Sequence, residues 1–331
     1  MKKNALLLFI LFSNYSISAQ CYTSVFSSDQ TIIARKADDT LWARGDNQFA
    51  CAGNGTTADV VELTQIGSDT NWSNNISISL SHVLAIKNDG TLWAWGTDVH
   101  GSCGIGVFAT APLVPIQVGT DSNWTFVTTG FSNSLAIKSD GTLWSWGSNN
   151  YGTLGINNLD DNYTTNVPIQ IGTQTNWLKI YTGKANSCFA IKTDGTLWSW
   201  GNTNTLAYPN ATINNAYRSP HQVGTDTWKT ISVGDNIVFG IKTDDTLWSW
   251  GSSSACQFGN GVPIGTNFQS YFPMQIGVDA NWKLISVNNS SAIALKTNGT
   301  RWGWGNNYGY NLGNSTDIPV LYPTQLDNTN D

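Results

Sequence analysis

Basic side chains, and charged side chains in general, are scarce in this sequence. Its 331 residues carry 16 lysines and arginines against 22 aspartates and glutamates, a formal net charge of −6, and only 11% of residues are charged. Nucleic-acid binding needs Lys and Arg to neutralise phosphates, so the acidic balance argues against it. The only long apolar run is N-terminal, which argues against a polytopic membrane protein. Aromatic residues make up 12%, which is too many for a disordered chain.

Catalytic motifs are also missing. The sequence contains no Gly-x-Ser-x-Gly, no His-Glu-x-x-His, no phosphate-binding glycine loop and no Cys-x-x-Cys. Of the three histidines, His82 lies in a predicted strand and His221 in a Pro-x-Gln segment, where we expect structural roles. His100 lies in a polar loop and is expected to be exposed. These absences predict a protein that is not an enzyme and that has no catalytic residues and no cofactor.

The five cysteines, Cys21, Cys51, Cys103, Cys188 and Cys256, are few and widely spaced. No two of them lie within two to four residues of each other, so neither a zinc site nor a redox motif is indicated. We therefore predict no metal site, although the Asn- and Asp-rich loops leave calcium as an open alternative. The spacing does not say which cysteines, if any, form disulfides.

The N-terminus has the pattern of a secretory signal peptide over residues 1–19. Two lysines precede a short apolar stretch, and small residues precede a cut between Ala19 and Gln20. Gln20 stands where a lipoprotein signal needs a small residue, so no lipid anchor is expected. The alternative is a buried N-terminal helix. The pattern predicts a bacterial protein that is secreted, periplasmic or on the cell surface, with residues 20–331 forming one domain.

A repeat of about fifty residues accounts for the remainder of the chain. The phrase LAIKNDGTLWAWG at 84–96 recurs with small changes at 33–45, 135–147, 189–201, 239–251 and 293–305. A Gly- and Asn-rich stretch and a Pro-x-Gln-Ile-Gly segment follow, and a leading tryptophan opens the next copy. All 16 tryptophans occupy such repeated positions. A fixed period of this length indicates a solenoid or a propeller.

Each phrase reads as a β-hairpin turning at Asp-Gly. With that turn, Ile86 is expected opposite Trp93 and Leu84 opposite Trp95. The leading segment and the Pro-x-Gln segment add two strands, and four strands per fifty residues is a propeller blade. The predicted fold is therefore an all-β propeller of six four-stranded blades. Its last strand ends at Leu326 where the strand of Tyr22 takes over, so the two ends are expected to meet.

The repeated phrase, followed by Gly-x-Asn and Leu-Gly, resembles the repeat of the regulator of chromosome condensation family, as in its secreted bacterial type. The resemblance covers essentially all of residues 20–331. It implies a β-propeller, usually of seven blades, so an incomplete or gapped seven-bladed ring is the alternative to six. The acidic charge and the leader argue against carrying over the nuclear members' exchange activity.

Two arginines break the repeat in its first copy. Arg35 replaces an isoleucine and Arg44 replaces the second phrase tryptophan, and the expected register puts both on one face beside Ile33 and Trp42. One interpretation is a partly wet blade at the closure of the ring, with a cation–π contact to Trp42. The other is an anion or partner site at that closure.

The loops after each Trp-Gly pair are the best candidates for binding. They differ in length, carry aromatic and amide side chains, and should lie together at one end of a propeller. The candidate residues are His100, Tyr151, Tyr208, Tyr308 and Tyr310. We expect a monomer that binds an extracellular or cell-surface protein through these loops; the alternative is a lectin-like protein that binds a glycan.

Overall fold

A computed structural model describes residues 21–28, 30–108, 111–183, 185–202, 216–253, 257–263, 265–288 and 290–326. The predicted leader, the candidate Tyr208 and Cys256 lie outside these ranges. Within them, the regular structure consists of β-strands and one short 3-10 turn, Asn150–Gly152. The prediction of an all-β fold is confirmed.

Twenty-three strands follow one another along the described chain. They are β1 (Tyr22–Ser27), β2 (Thr31–Lys36), β3 (Leu41–Gly45), β4 (Val60–Gln65), β5 (Trp72–Ile78), β6 (His82–Lys87), β7 (Leu92–Gly96), β8 (Ile116–Gln117), β9 (Trp124–Thr129), β10 (Asn133–Lys138), β11 (Leu143–Ser148), β12 (Thr164–Gln170), β13 (Trp177–Thr182), β14 (Ser187–Lys192), β15 (Thr196–Asn202), β16 (Ala216–Val233), β17 (Ile237–Lys242), β18 (Thr246–Ser253), β19 (Phe268–Ala280), β20 (Trp282–Val287), β21 (Ser291–Lys296), β22 (Arg301–Gly305) and β23 (Val320–Gln325).

The strands form six antiparallel four-stranded units in chain order. Units 1, 2, 3 and 6 are separate sheets made of β1–β4, β5–β8, β9–β12 and β20–β23. Units 4 and 5 share the long strand β16 in one sheet, β13 to β19. The first part of β16 pairs with β15 and the part from Trp228 pairs with β17, so each half completes one unit. The first strands of successive units lie against one another, which places them on the inner side of the curved row.

The hairpin of each phrase has a different register from the one we predicted. Ile86 pairs with Leu92, and Ala85 rather than Ile86 lies opposite Trp93. The predicted two-residue turn at Asp-Gly is therefore wrong by one residue. A slip of one residue moves alternate side chains to the opposite face of a sheet, so the predicted faces change as well.

The turn itself explains the slip. The amide of Lys87 donates to the carbonyl of Thr91, and Gly90 has a φ of +78°, the geometry of a three-residue loop closed by a glycine bulge. The carboxylate of Asp89 accepts hydrogen bonds from the amide and the hydroxyl of Thr91. The hydroxyl of Thr91 accepts the indole N–H of Trp93, which ties the loop to the sheet.

In the observed register, a leucine of each of units 1 to 5 faces the next unit. There it packs with the second of the two tryptophans in the repeated phrase. Both side chains are buried and share one hydrophobic cluster at every junction along the row. The pairs are Leu41 with Trp95, Leu92 with Trp146, Leu143 with Trp200, Leu197 with Trp250, and Leu247 with Trp304. Burying one indole removes roughly 150–250 Å² from water, so these pairs dominate the adhesion between units.

A hydrogen bond and a close backbone approach secure the same indoles. The N–H of Trp146 donates to the carbonyl of Ser102 in the loop of the preceding unit at 2.8 Å, and Trp95 makes the equivalent bond to Cys51 at 2.9 Å. Gly104 follows closely in that loop with a φ of +73°, and a Cβ there would lie 2.6 Å from the indole nitrogen of Trp146. The loops after the Trp-Gly pairs of units 1, 2, 3 and 5 are therefore clamped onto the next unit.

Sequence reasoning overlooked the lysine of each phrase. Lys138 is buried, with its ammonium 3.9 Å from the ring centre of Trp144 and 4.6 Å from that of Trp124. Asp121, from the segment before Trp124, pairs with the same ammonium at 2.7 Å. The cation is thus held between two indole faces and a carboxylate, and the other units repeat the cation–π arrangement.

The expected contact between the two ends of the row is not found. The described strands of unit 1 and unit 6 share no hydrophobic cluster, and no pair of them packs as neighbouring units do. Tyr22, expected to meet the last unit, is exposed, whereas the leading tryptophans of the other units are buried. The predicted closed junction is therefore not found among the described residues, whose arrangement agrees with the alternative of a gapped ring.

Candidate partner-binding face

The loops that carry the candidate residues lie at one end of the units. Because the four strands of a unit alternate in direction, the loop after Trp-Gly emerges beside the loop between the first two strands. Backbone hydrogen bonds confirm this, since the amide of Thr97 donates to Ser81 and the amide of Ser148 donates to Ser132. The Asp-Gly turns lie at the opposite end.

A buried asparagine organises the loops after Trp-Gly in units 1, 3 and 6. The side-chain amide of Asn47 donates to the carbonyl of Thr56 at 2.8 Å, and its oxygen accepts the backbone N–H of Ala52 at 2.8 Å. Asn149 and Asn307 make equivalent bonds in units 3 and 6. Both ends of each loop are therefore fixed, and the exposed side chains at its tip are held in place before any partner arrives.

His100 and Tyr151 occupy the same loop position in neighbouring units 2 and 3. Both are exposed, as predicted, and Tyr151 is 46% exposed with a left-handed φ of +57°. A left-handed conformation is uncommon for a residue with a side chain and marks a constrained loop tip. Neither side chain lies in a catalytic cluster.

Tyr308 and Tyr310 lie apart from that pair, in the loop of unit 6. Each is 58% exposed, and Tyr310 has a φ of +62° at a position where units 2 and 3 have Gly101 and Gly152. Units 4 and 5 separate them from Tyr151. The structure therefore places four of the five candidates at one end, but in two separate groups.

Two exposed apolar residues beside His100 and Tyr151 were missed by sequence reasoning. Val99 is 62% exposed and Phe131 is 52% exposed. Position alone could have identified Val99, since it precedes His100 in the same loop. Phe131 lies in the short loop between β9 and β10, which no motif had singled out. We call Val99, His100, Phe131 and Tyr151 the rim patch.

A chain of hydrogen bonds links the three loops that carry the rim patch. Ser81 accepts the amide of Thr97, two residues before Val99, and its hydroxyl donates to the carbonyl of Phe131 at 3.3 Å. The residue after Phe131 is Ser132, which accepts the amide of Ser148 in the Tyr151 loop. The patch therefore crosses the junction of units 2 and 3.

Beneath the rim patch, His82 is buried and structural, as predicted. Its Nε2 lies 2.8 Å from the hydroxyl of Ser134, which donates to the carbonyl of Ser102, and its Nδ1 lies 3.0 Å from the hydroxyl of Ser79. Burial lowers the pKa of His82 to about 3, so the ring is neutral in the fold. His221, the other histidine for which we expected a structural role, is exposed, and its ring packs against Tyr217 with the ring centres 4.6 Å apart and the planes tilted by 59°.

Unit 2 has an aspartate, Asp98, where units 1, 3 and 6 have the loop asparagine. Asp98 is buried and its Oδ1 accepts the amide of Cys103 at 2.7 Å. Its Oδ2 is buried and has no hydrogen-bond partner among the described residues. Burial raises the pKa of this carboxyl to about 6.

The described part of the chain offers little for catalysis or metal binding. It contains no group of three His, Cys, Asp or Glu side chains that could hold a metal ion. Cys51, Cys103 and Cys188 are buried free thiols, and burial raises the pKa of Cys51 and of Cys188 to about 12. Such thiols are poor nucleophiles and poor ligands. No helix in the described ranges is long and apolar enough to cross a membrane.

Part of the repeated sequence matches a known family of repeats. The regulator of chromosome condensation (RCC1) repeat matches residues 140–190, and a second description of the same repeat matches residues 124–153. Residues 124–190 therefore carry RCC1 repeats. The resemblance drawn from the Asp-Gly-Thr-x-Trp phrases is thereby confirmed.

Curated proteins with RCC1 repeats match part of the chain. The probable E3 ubiquitin-protein ligase HERC6 of Homo sapiens is 30% identical over 128 residues, 38% of this chain and 12% of that protein. The ultraviolet-B receptor UVR8 of Arabidopsis thaliana is 27% identical over 129 residues, 38% of this chain and 28% of the receptor. The matches therefore span under a third of these relatives.

Solved RCC1-type structures match nearly the whole chain. Human WBSCR16 superposes with a TM-score of 0.79 and 19% identity, over 93% of this chain and 82% of that one. Yeast RCC1, solved with Kap60 bound, gives 0.77 and 19%, over 93% and 75%. At this identity the likeness shows the fold alone: an RCC1-like β-propeller.

Proposed function

We propose that this protein is an exported, non-enzymatic protein-interaction module that binds a partner protein through the rim patch. The RCC1-like fold supports this, because yeast RCC1 was solved with another protein bound. The exposed loop tips support it further. Export rests on the leader pattern of residues 1–19.

The observation that carries the proposal is the exposure of apolar and aromatic side chains on clamped loops. Exposed apolar groups that are contiguous and rimmed by polar residues mark interaction sites. Aromatic anchors held rigid before binding contribute most of the affinity of an interface. Val99, Phe131 and Tyr151 supply exposed apolar surface across the junction of units 2 and 3, and Phe131 and Tyr151 supply the aromatic side chains.

Photo-crosslinking from the rim patch tests this function. A benzoylphenylalanine at position 131 of the full chain, expressed in its own host, is expected to give a discrete adduct with one protein. The matched control is the same probe at Val278, which is 91% exposed in the last part of β19, at the opposite end. Equal adducts from both positions would contradict the proposal.

Alanine substitutions in the patch are expected to separate binding from folding. Changing Tyr151 and His100 to alanine should weaken the crosslinked complex at least tenfold, about 1.4 kcal/mol, while the melting temperature stays within a few degrees, because both side chains are exposed. Tyr308→Ala is the comparison in unit 6. If a glycan array found a sugar that displaced the adduct, the lectin alternative would replace this proposal.

Export makes a separate prediction. Protein recovered outside the cytoplasm is expected to begin at Gln20, because the small residues before it form the cleavage site. Mass spectrometry of the intact chain measures this directly. Recovery only from the cytoplasm, with Met1 retained, would contradict export and leave the rim patch to be judged by its own experiment.

A further inference from the structure

Four units place a carboxylate on the buried lysine of the repeated phrase. In unit 3, Asp121 reaches Lys138 from the connection that leads into β9. The same ion pair recurs in units 2, 5 and 6, where the pairs are Lys87 with Asp69, Lys242 with Asp226, and Lys296 with Asp279. The acid always comes two or three residues before the leading tryptophan. In these units the chain therefore supplies the counter-charge that a buried ammonium needs.

Unit 4 lacks this carboxylate. Gln174 occupies the position of Asp121, three residues before Trp177. The ammonium of Lys192 lies 3.7 Å from the ring centre of Trp198 and 4.7 Å from that of Trp177, and the lysine is only 5% exposed. No acidic side chain in the described part of the chain forms an ion pair with it. This cation thus keeps its two indoles and has lost its counter-ion.

The turn aspartate of unit 4 does not take over this role. Asp194 is exposed, and its Oδ1 accepts hydrogen bonds from the amide and the hydroxyl of Thr196. Unit 3 has the same turn aspartate, Asp140, in addition to Asp121. The pKa of Lys192 is lowered, because burial outweighs the charge of Asp194. The described structure therefore leaves Lys192 without a close carboxylate.

An open groove reaches the position of the missing carboxylate. Its volume is about 600 Å³, within the usual range of small-molecule pockets. It runs between β12 of unit 3 and the adjoining face of unit 4, and it is lined by Gln174 and by both indoles that hold the ammonium, Trp177 and Trp198. The other apolar lining residues are Ile156, Ile169, Ile171 and Pro220. The described lining residues carry no charge of their own, so none of them repels an anion.

We propose that this groove binds a small organic acid, whose carboxylate pairs with the ammonium of Lys192 and whose apolar body lies against Trp177, Trp198 and the isoleucines. A charged hydrogen bond beside apolar side chains is only weakly screened by water, so the cation favours an anion over a neutral molecule of the same shape. The site goes beyond the proposed function. It shares no residue with the rim patch, and its experiments involve no rim residue.

Titration calorimetry of the full chain with two acids, benzoate and hexanoate, tests the proposal. Benzamide and hexanamide are the matched neutral compounds, because they have nearly the same size and shape but no charge. At least one acid is expected to bind saturably and at least tenfold more tightly than its amide. Absence of saturable binding by both acids, or equal binding of each acid and its amide, would overturn the proposal.

One substitution supplies the missing carboxylate from the chain itself. Gln174→Asp restores the acid that the other units have, so it is expected to weaken binding of the organic acid at least tenfold without lowering the melting temperature. Gln174→Asn changes the same side chain without adding charge and should bind the acid as the wild type does. Equal loss in both variants, or no loss in Gln174→Asp, would overturn the assignment to Lys192.

Two lysine substitutions separate this site from unspecific attraction to cations. Lys192→Met should bind the acid no better than its amide, and its melting curve shows whether the variant folds; if it does not, Gln174→Asp carries the test. Lys229, on unit 5, has a side chain that is 45% exposed and pairs with Asp245. Lys229→Gln should therefore leave the affinity for the acid unchanged. A loss in Lys229→Gln as large as in Gln174→Asp would overturn the proposal.

Discussion

Gly104→Ala is expected to lower the free energy of unfolding by about 2–4 kcal/mol. A φ of +73° is strained for any residue with a Cβ, which costs about 1 kcal/mol, and the new methyl group would lie 2.6 Å from the indole nitrogen of Trp146. Overpacking a filled site adds about 1–3 kcal/mol. The indole cannot move aside, because it is buried and its N–H is bonded to Ser102. Urea unfolding of the purified chain measures the loss.

Gly106→Ala is the matched control for backbone strain. Gly106 lies in the same loop with a φ of +86°, but a Cβ there would meet no atom within 4 Å. Its substitution should cost only the strain, about 1 kcal/mol. If the two variants lost the same stability, contact with the tryptophan would not be what holds the loop to the next unit.

Asp98→Asn is expected to stabilise the protein by about 1–3 kcal/mol at pH 8 and by little at pH 4. The folded pKa of Asp98, about 6, is raised above the ordinary value of 3.8 because the carboxyl is buried. Because the folded pKa is raised, the contribution of this carboxyl to folding stability is fully present below about pH 4 and is lost as the pH rises through 6. An asparagine carries no charge to desolvate, and the amide of Asn47 at the equivalent position of unit 1 finds a carbonyl partner within its own loop.

Unfolding curves across pH 4–8 measure this effect as the difference between wild type and variant. Taking the difference removes the effect of His82, which both proteins share. The pKa of His82 is lowered to about 3, so its contribution to stability is lost in the opposite direction, as the pH falls below 6.5. Asn149→Asp is the converse variant and should lose stability at pH 8 but not at pH 4. If the difference in the free energy of unfolding between wild type and Asp98→Asn did not vary with pH, the account would be contradicted.

The repeat predicted most of the fold because its period and its tryptophans report packing directly. Leading tryptophans such as Trp124 and second phrase tryptophans such as Trp146 are buried as expected. The hairpin register was wrong because Asp89 and Thr91 build a loop one residue longer than the Asp-Gly pair implies. The hydrogen bonds of the turn therefore decide which side chains share a face of the sheet, and the Asp-Gly pair alone does not.

That error also misplaced the arginines of the first unit. Arg35 pairs with Leu41 and faces unit 2, where its side chain donates to the carbonyl of Trp72 at 2.7 Å and forms an ion pair with Asp39. Arg44 pairs with Ile32 on the opposite face. The cation over Trp42 is Lys36, with its ammonium 3.2 Å from the ring centre, rather than Arg35.

The candidate site was only partly predictable. Loop position identified His100 and Tyr151, because every unit emits its loop at the same point of the sheet. Phe131 could not be found in this way, because its loop carries no repeated motif and its exposure depends on how units 2 and 3 pack. The exposure of Arg44 and Arg301 could have been inferred once the register was known, since both replace residues that are buried in the other units.

Urea unfolding of Gly104→Ala and Gly313→Ala side by side tests the central claim most directly, namely that a tryptophan of the following unit holds the loop of the preceding one, and that the loop of unit 6 has no such neighbour among the described residues. The two glycines occupy equivalent positions with φ of +73° and +67°, and only Gly104 faces an indole. We expect Gly104→Ala to cost about 1–3 kcal/mol more than Gly313→Ala. Equal losses would contradict the account.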